Sequence, residues 1–285
     1  MVHRPRGPKG LFTLRSGQTD LSQPAIAPGV ALGSGANGWW SLGGPLANGQ
    51  TLGQFDAIEL LRGEGCNAAD PSAWFTEFKA LRTDWLTLLS LQTPSAFTKA
   101  LGLSSGVYSL DTPVGLARTY LKATGFTQKD QTALLNALKS GAAVASTGPM
   151  LDVAVNGAGP GRLVDGPVSS ATLALTVYAP SWVPVDEVRV VVNGVVTATI
   201  PFDATHFTRD SADLRKWTLN AAYAGITLPA KDAFVVVEAG VPLATSGAYR
   251  AGTPWNKIMK GIYPIAVANP VFVDVDGGGY KAPGL

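Results

Sequence analysis

The chain has 285 residues, 46% of them apolar and 15% charged, with 33 glycines and 20 prolines. That is enough apolar material for one large or two ordinary folded domains, and too much for disorder throughout. The 22 basic and 20 acidic residues leave a net charge of +2, and no lysine or arginine block gives the footprint of a nucleic-acid binder, so no nucleic-acid partner is expected.

No apolar run reaches the roughly 18 residues of a membrane span. The lone cysteine, Cys66, excludes an internal disulfide framework and leaves the redox compartment open. No helix start or histidine is evident beside it, so it is not read as a functional thiol. The basic opening "MVHRPRGPKGLF" is not followed by an apolar h-region, so no signal peptide is expected in it. The compartment stays open, because export would require an upstream segment.

Residues 1 to about 54 are dominated by Gly, Pro, Ser and Asn, as in "PGVALGSGANGWWSLGGPLANG", and read as long loops over a scaffold. "FDAIELL", 55 to 61, has the length and flanks of a buried strand, with Glu59 its one interior charge. A helix is predicted from about 71 to 91: Asp70 can cap it, Pro71 suits its first position, and Trp74, Phe78, Leu81, Trp85, Leu88 and Leu89 recur at spacings of three and four. "AFTKALGL" reads as a strand leading into a Ser- and Gly-rich loop. A second helix lies in "TGFTQKDQTALLNALKSGAAV", with Leu134, Leu135 and Leu138 as its apolar face and Gly141 just past its end.

After Ala142 the pattern changes to short β-rich runs: "AVAST", "LDVAV", "ATLALTVYA", "DEVRVVVNG", "VVTATI", "KWTLNAAY" and "AFVVVEAG". Val192-Asn193-Gly194-Val195 is a strong hairpin signal. In "EVRVVVNG", Val188, Val190 and Val192 share one face, while Glu187, Arg189 and Val191 share the other. The expected architecture is therefore an α/β portion over residues 1–145 followed by a β-sandwich over 146–285.

Several segments, in order, resemble the later part of a PHP-domain metallohydrolase of the CehA/McbA type. They are "VHRPRGP" (2–8), "FDAIELLRG" (55–63), "TDWLTLLS" (83–90), "LGLSSGV" (101–107), "VGLARTYL" (114–121), "ALKSGAAVASTGPML" (137–151), "APSWVPVDEVRVVVNG" (179–194) and "ANPVFVDVDGGG" (268–279). The family's usual counterparts include "NHPRG", "FDAIEVLNG", "GNSDSH", "GxxRTYV" and "APSWVPVDRVELYVNG". The resemblance implies an α/β barrel with metal ions at its strand ends, activating water to hydrolyse a phosphoester, amide or carbamate. It also makes Glu59 and Arg118 candidate pocket residues, Arg118 suited to a planar oxyanion; the alternative for them is a buried or rim ion pair that holds loop to barrel.

This chain departs from that pattern where the metal would be held. Such catalysis needs imidazoles and carboxylates converging on the ion, yet Ser105 and Val107 stand at the Asp and His of "SDSH", and Arg4 at the His of "NHPRG". His3 is one residue out of register, His206 falls in a sandwich loop, and the family's early "HxH" motif has no counterpart. No metal ligand is assigned, and no cofactor is expected for this chain alone. The leading expectation is a degenerate relative without metal-dependent hydrolysis of its own. The alternatives are an active hydrolase with zinc, manganese or iron, completed by a missing N-terminal half or oligomer partner, and a non-catalytic binding or structural module. An unfilled barrel half would expose apolar surface and favour association.

Ser104 and Ser105 have no nucleophile-elbow context, and serve as candidate substrate contacts rather than nucleophiles. Trp39 and Trp40 offer either a flat ligand platform or a loop clamp. "GSGANG" (33–38) lacks the strand–helix setting of a phosphate loop. "DVDGGG" (274–279) begins like a calcium loop but lacks the later acidic ligands, so a turn between strands is expected.

Overall fold

The computed structural model describes residues 20–25, 55–63, 70–103, 115–123, 131–259 and 261–284. In chain order these form β1 (Ala57–Arg62), α1 (Ser72–Leu89), β2 (Lys99–Leu103), β3 (Arg118–Leu121), α2 (Gln131–Ser140), β4 (Ala143–Ser146), β5 (Met150–Val155), β6 (Leu163–Val164), β7 (Ala171–Tyr178), β8 (Glu187–Val192), β9 (Val195–Pro201), β10 (Phe207–Arg209), β11 (Lys216–Leu219), β12 (Gly225–Ile226), β13 (Ala233–Gly240), α3 (Pro254–Ile258), β14 (Ile265–Ala268) and β15 (Val271–Val273). The molecule is β-rich. Among the described residues, β1 and β2 form a separate parallel pair, and no sheet closes into a barrel.

A large sheet is built around β13, which pairs with β8 on one side and with β14 and β15, successive pieces of one bent strand, on the other. Beyond β8 lies β9; beyond β14 lie β4 and then β3, and beyond β15 lies β6. A smaller sheet contains β5, β7, β10, β11 and β12, with β7 pairing β5, β11 and β12. The two sheets face each other across Leu151, Val153, Leu173, Leu175 and Val177 on one side and Val188, Val190, Val235, Val237 and Ala266 on the other. This sandwich-like core follows from period-two alternation, which sends every second valine inward.

The opposite face of the large sheet carries Val191, Phe234, Val236, Ile265, Val267 and Phe272 into a second core shared with α1, β1 and Phe97. The alternation read from "EVRVVVNG" is the one found, since Val188, Val190 and Val192 join one core and Val191 the other. Asn193 and Gly194 both take positive φ, 49° and 83°, as the tight hairpin between β8 and β9 requires. Residue 145 lies inside β4, a strand of the large sheet.

Helix α1 begins where Asp70 Oδ1 accepts the Ser72 N–H at 2.8 Å. Its apolar stripe packs on the large sheet, and Trp85, fully buried, donates its indole N–H to Thr98 O at 2.8 Å. The polar side is buried too. Arg82 reaches Glu238 of β13, which also accepts from Arg189 Nε at 2.9 Å. Arg189 goes on to Glu187 Oε1 at 2.6 Å and Val241 O at 2.8 Å. Burial alone would push the Glu238 carboxyl up, but the two guanidinium groups outweigh it and hold it below the ordinary glutamate value.

Candidate functional site

The segments that resemble a metallohydrolase strand end converge on β2. On one flank β1 runs parallel to it, with Glu59 beside Leu101, and Gly63 N–H donating to Leu103 O at 3.0 Å. The strands therefore emerge at the same end. On the other flank side chains take the place of a strand. Asn269 Oδ1 accepts the Ala100 N–H at 2.8 Å, and the Thr119 hydroxyl accepts from Gly102 N–H at 3.1 Å while donating to Gly102 O at 2.9 Å. A Cβ on Gly102 would lie 2.4 Å from Arg118 O, so only glycine admits this crossing.

Glu59 is buried within β1 and Arg118 opens β3, so the two expected pocket residues flank β2 from opposite sides. Arg118 is a clamp between turns: Nη1 donates to Gly115 O at 3.1 Å and Nη2 to Gly148 O at 2.9 Å, with the guanidinium 5.4 Å from the Tyr120 ring centre. Replacing it with methionine is expected to lower unfolding free energy by about 1–3 kcal/mol, because two carbonyls lose a charged donor. Urea denaturation measures this. At the end of β1, Arg62 pairs with Glu77 of α1, and Trp74 donates its indole N–H to Arg62 O at 2.9 Å. The crevice between them, about 10 Å³, has little room for a ligand.

Among the described residues, the side chains at this strand end do not make up a hydrolytic metal centre. Around the ends of β1 and β2 the described residues present two guanidinium groups, one of them already paired with a carboxylate. Among the described residues the one trio of His, Cys, Asp or Glu close enough to share a cation is Asp232, Asp274 and Asp276, located before β13 and after β15 rather than at that strand end. Its oxygens already brace a loop. Asp232 accepts from Val275 N–H (2.7 Å) and Lys281 N–H (2.6 Å), and Asp274 from Gly277 N–H (2.7 Å) and Gly279 N–H (3.0 Å). The Gly278 N–H, with Lys281 nearby, holds the Asp276 carboxyl below its usual range. "DVDGGG" thus follows the last strand and bends the chain back onto Asp232. It is not a turn between two strands.

His206 sits in the turn before β10, its Nδ1 2.7 Å from Asp203 Oδ1 and its ring 4.4 Å from that of Tyr223. The bond from His206 holds the Asp203 carboxyl down. Trp39, Trp40, Ser104 and Ser105 lie outside the described residues, as do His3, Arg4, Cys66 and Val107. The sequence reading missed Thr119 and Asn269, whose polarity within apolar runs was the one available signal. No protein-family model matches the chain, and no curated protein or solved structure matches it either.

Proposed function

We propose that this chain is a relative of PHP-type metallohydrolases of the CehA/McbA type that performs no metal-dependent hydrolysis by itself. The observation that carries the reading is the β1–α1–β2 unit. Two parallel strands joined through a helix are the connection from which α/β barrels are assembled, and here the unit falls on the segments that resemble barrel strands. The packing of that unit on a sheet shared with a sandwich-like domain supports the same reading, because the resemblance continues through "APSWVPVDEVRVVVNG".

Loss of the metal is supported by Arg4, Ser105 and Val107 at the expected ligand positions, and by the cationic side chains around the ends of β1 and β2. Among the described residues no imidazole stands there and the Glu77 carboxylate is taken up by Arg62, so no group is available to lower the pKa of a water and no hydrolytic step is assigned. The test is to incubate the purified chain with zinc, manganese or ferrous iron, desalt it, and measure bound metal and turnover of bis-p-nitrophenyl phosphate. Substoichiometric metal and no turnover are expected. One ion retained per chain with phosphodiesterase activity would overturn the proposal.

A further inference from the structure

Among the described residues the small sheet ends at β5 on one side. β5 is its edge, pairing only with β7, while the large sheet runs through β4 to β3. Tyr120 stands opposite Val144, a member of the inter-sheet core, so this face of β3 and β4 is turned toward the small sheet. Between it and β5 lies a cavity of about 210 Å³ lined by Tyr120, Lys122, Ala142, Val144, Leu151 and Val153.

The edge of β5 presents main-chain groups to that cavity. Asn156 N–H donates to Thr172 O at 3.0 Å, which fixes the phase of the β5–β7 ladder: Ala154 and Asp152 turn their N–H and C=O toward β7. Val155 turns its own outward, where Ala158 takes both. Val153 and Leu151, in the same phase as Val155, also face outward, and no strand pairs with them there among the described residues. Across the opening Lys122 Nζ meets Asp152 Oδ1 at 2.6 Å, a bridge between the two sheets that is half exposed.

We propose that this notch binds an extended peptide from another protein, which adds to the small sheet beside β5. A polypeptide supplies donors and acceptors at strand spacing together with side chains that alternate in direction, and the notch asks for both. Residues pointing inward cover Tyr120 and Val144 and are apolar. Those pointing outward meet Asp152, so a lysine or arginine in register there replaces Lys122, and Lys122 becomes free for a carboxylate of the peptide. A second copy of β5 fits less well, because "MLDVAV" carries no base to set against Asp152.

The test is to pan a phage-displayed library of random heptapeptides on the full chain and measure binding of the enriched peptide by fluorescence polarisation. Enrichment of alternating apolar and polar residues with a base among the polar ones is expected. N-methylation of the peptide edge facing β5 lowers affinity about tenfold or more, whereas methylation of the other edge has little effect. Ala142→Phe, which fills the notch, gives a similar loss with unchanged circular dichroism; the methylated peptides give the answer independently of how that variant folds. No alternating enrichment, equal effects of the two methylations, or self-association abolished by Ala142→Phe would each overturn the proposal.

Discussion

Glu238→Ala lowers unfolding free energy by about 3–5 kcal/mol, read as a fall in the urea midpoint with little change in slope. The carboxylate is fully buried and holds Arg82 from α1 and Arg189 from β8 at once. Removing it takes the shared carboxylate from two buried guanidinium groups, leaving Arg189 only its bridge to the part-buried Glu187, and Nη2 of each already has no hydrogen-bond partner among the described residues. Because those donors are unsatisfied even in the intact network, replacing Arg82, Arg189 and Glu238 together with apolar residues of similar volume costs far less than the single change.

Acid acts on the same carboxylate. Its folded-state pKa is depressed, so it binds a proton less readily folded than unfolded, and its contribution is fully present above the ordinary value of 4.5 and lost as pH falls below it. A urea midpoint that stays level from pH 7 to 5 and drops more steeply below that in the wild type than in Glu238→Ala checks the sign.

Trp85→Ala has an effect of similar size, about 3–5 kcal/mol, for a different reason. Its ring is fully buried in the core shared by α1, β1 and the large sheet, and its N–H is the donor to Thr98 O, just before β2. Alanine leaves both a cavity and an orphaned carbonyl. Phenylalanine at the same position fills much of the space but makes no bond to Thr98, so its cost lies well below that of alanine. Thermal denaturation of the two variants separates the packing loss from the lost hydrogen bond.

The elements legible in the sequence were those fixed by local periodicity or by a turn. Helix α1 announces itself through Asp70 and the spacing from Trp74 to Leu89, and β8 through the alternation around Arg189. What lies between elements was hidden. Nothing local says that β4 pairs with β14 more than a hundred residues later, or that Asn269 and Thr119 substitute for a strand beside β2, because such pairings depend on long-range register. The buried polar side of α1 was hidden for the same reason, since Arg82 looks like a solvent residue until Glu238 arrives from β13. At the candidate site the sequence marked Glu59 and Arg118. The fold adds that Arg118 spends two of its donors on the carbonyls of Gly115 and Gly148.

Strand β13 gives Phe234 and Val236 to one core and Val235 and Val237 to the other. It acts as a party wall, and neither side can be detached without leaving bare masonry. A gene fragment encoding only the upstream half would bring helix and parallel strands with no surface to lean on, while the downstream half alone would turn Phe234, Val236 and the charge of Glu238 out to water. The two halves are thus expected to unfold together, in a single transition.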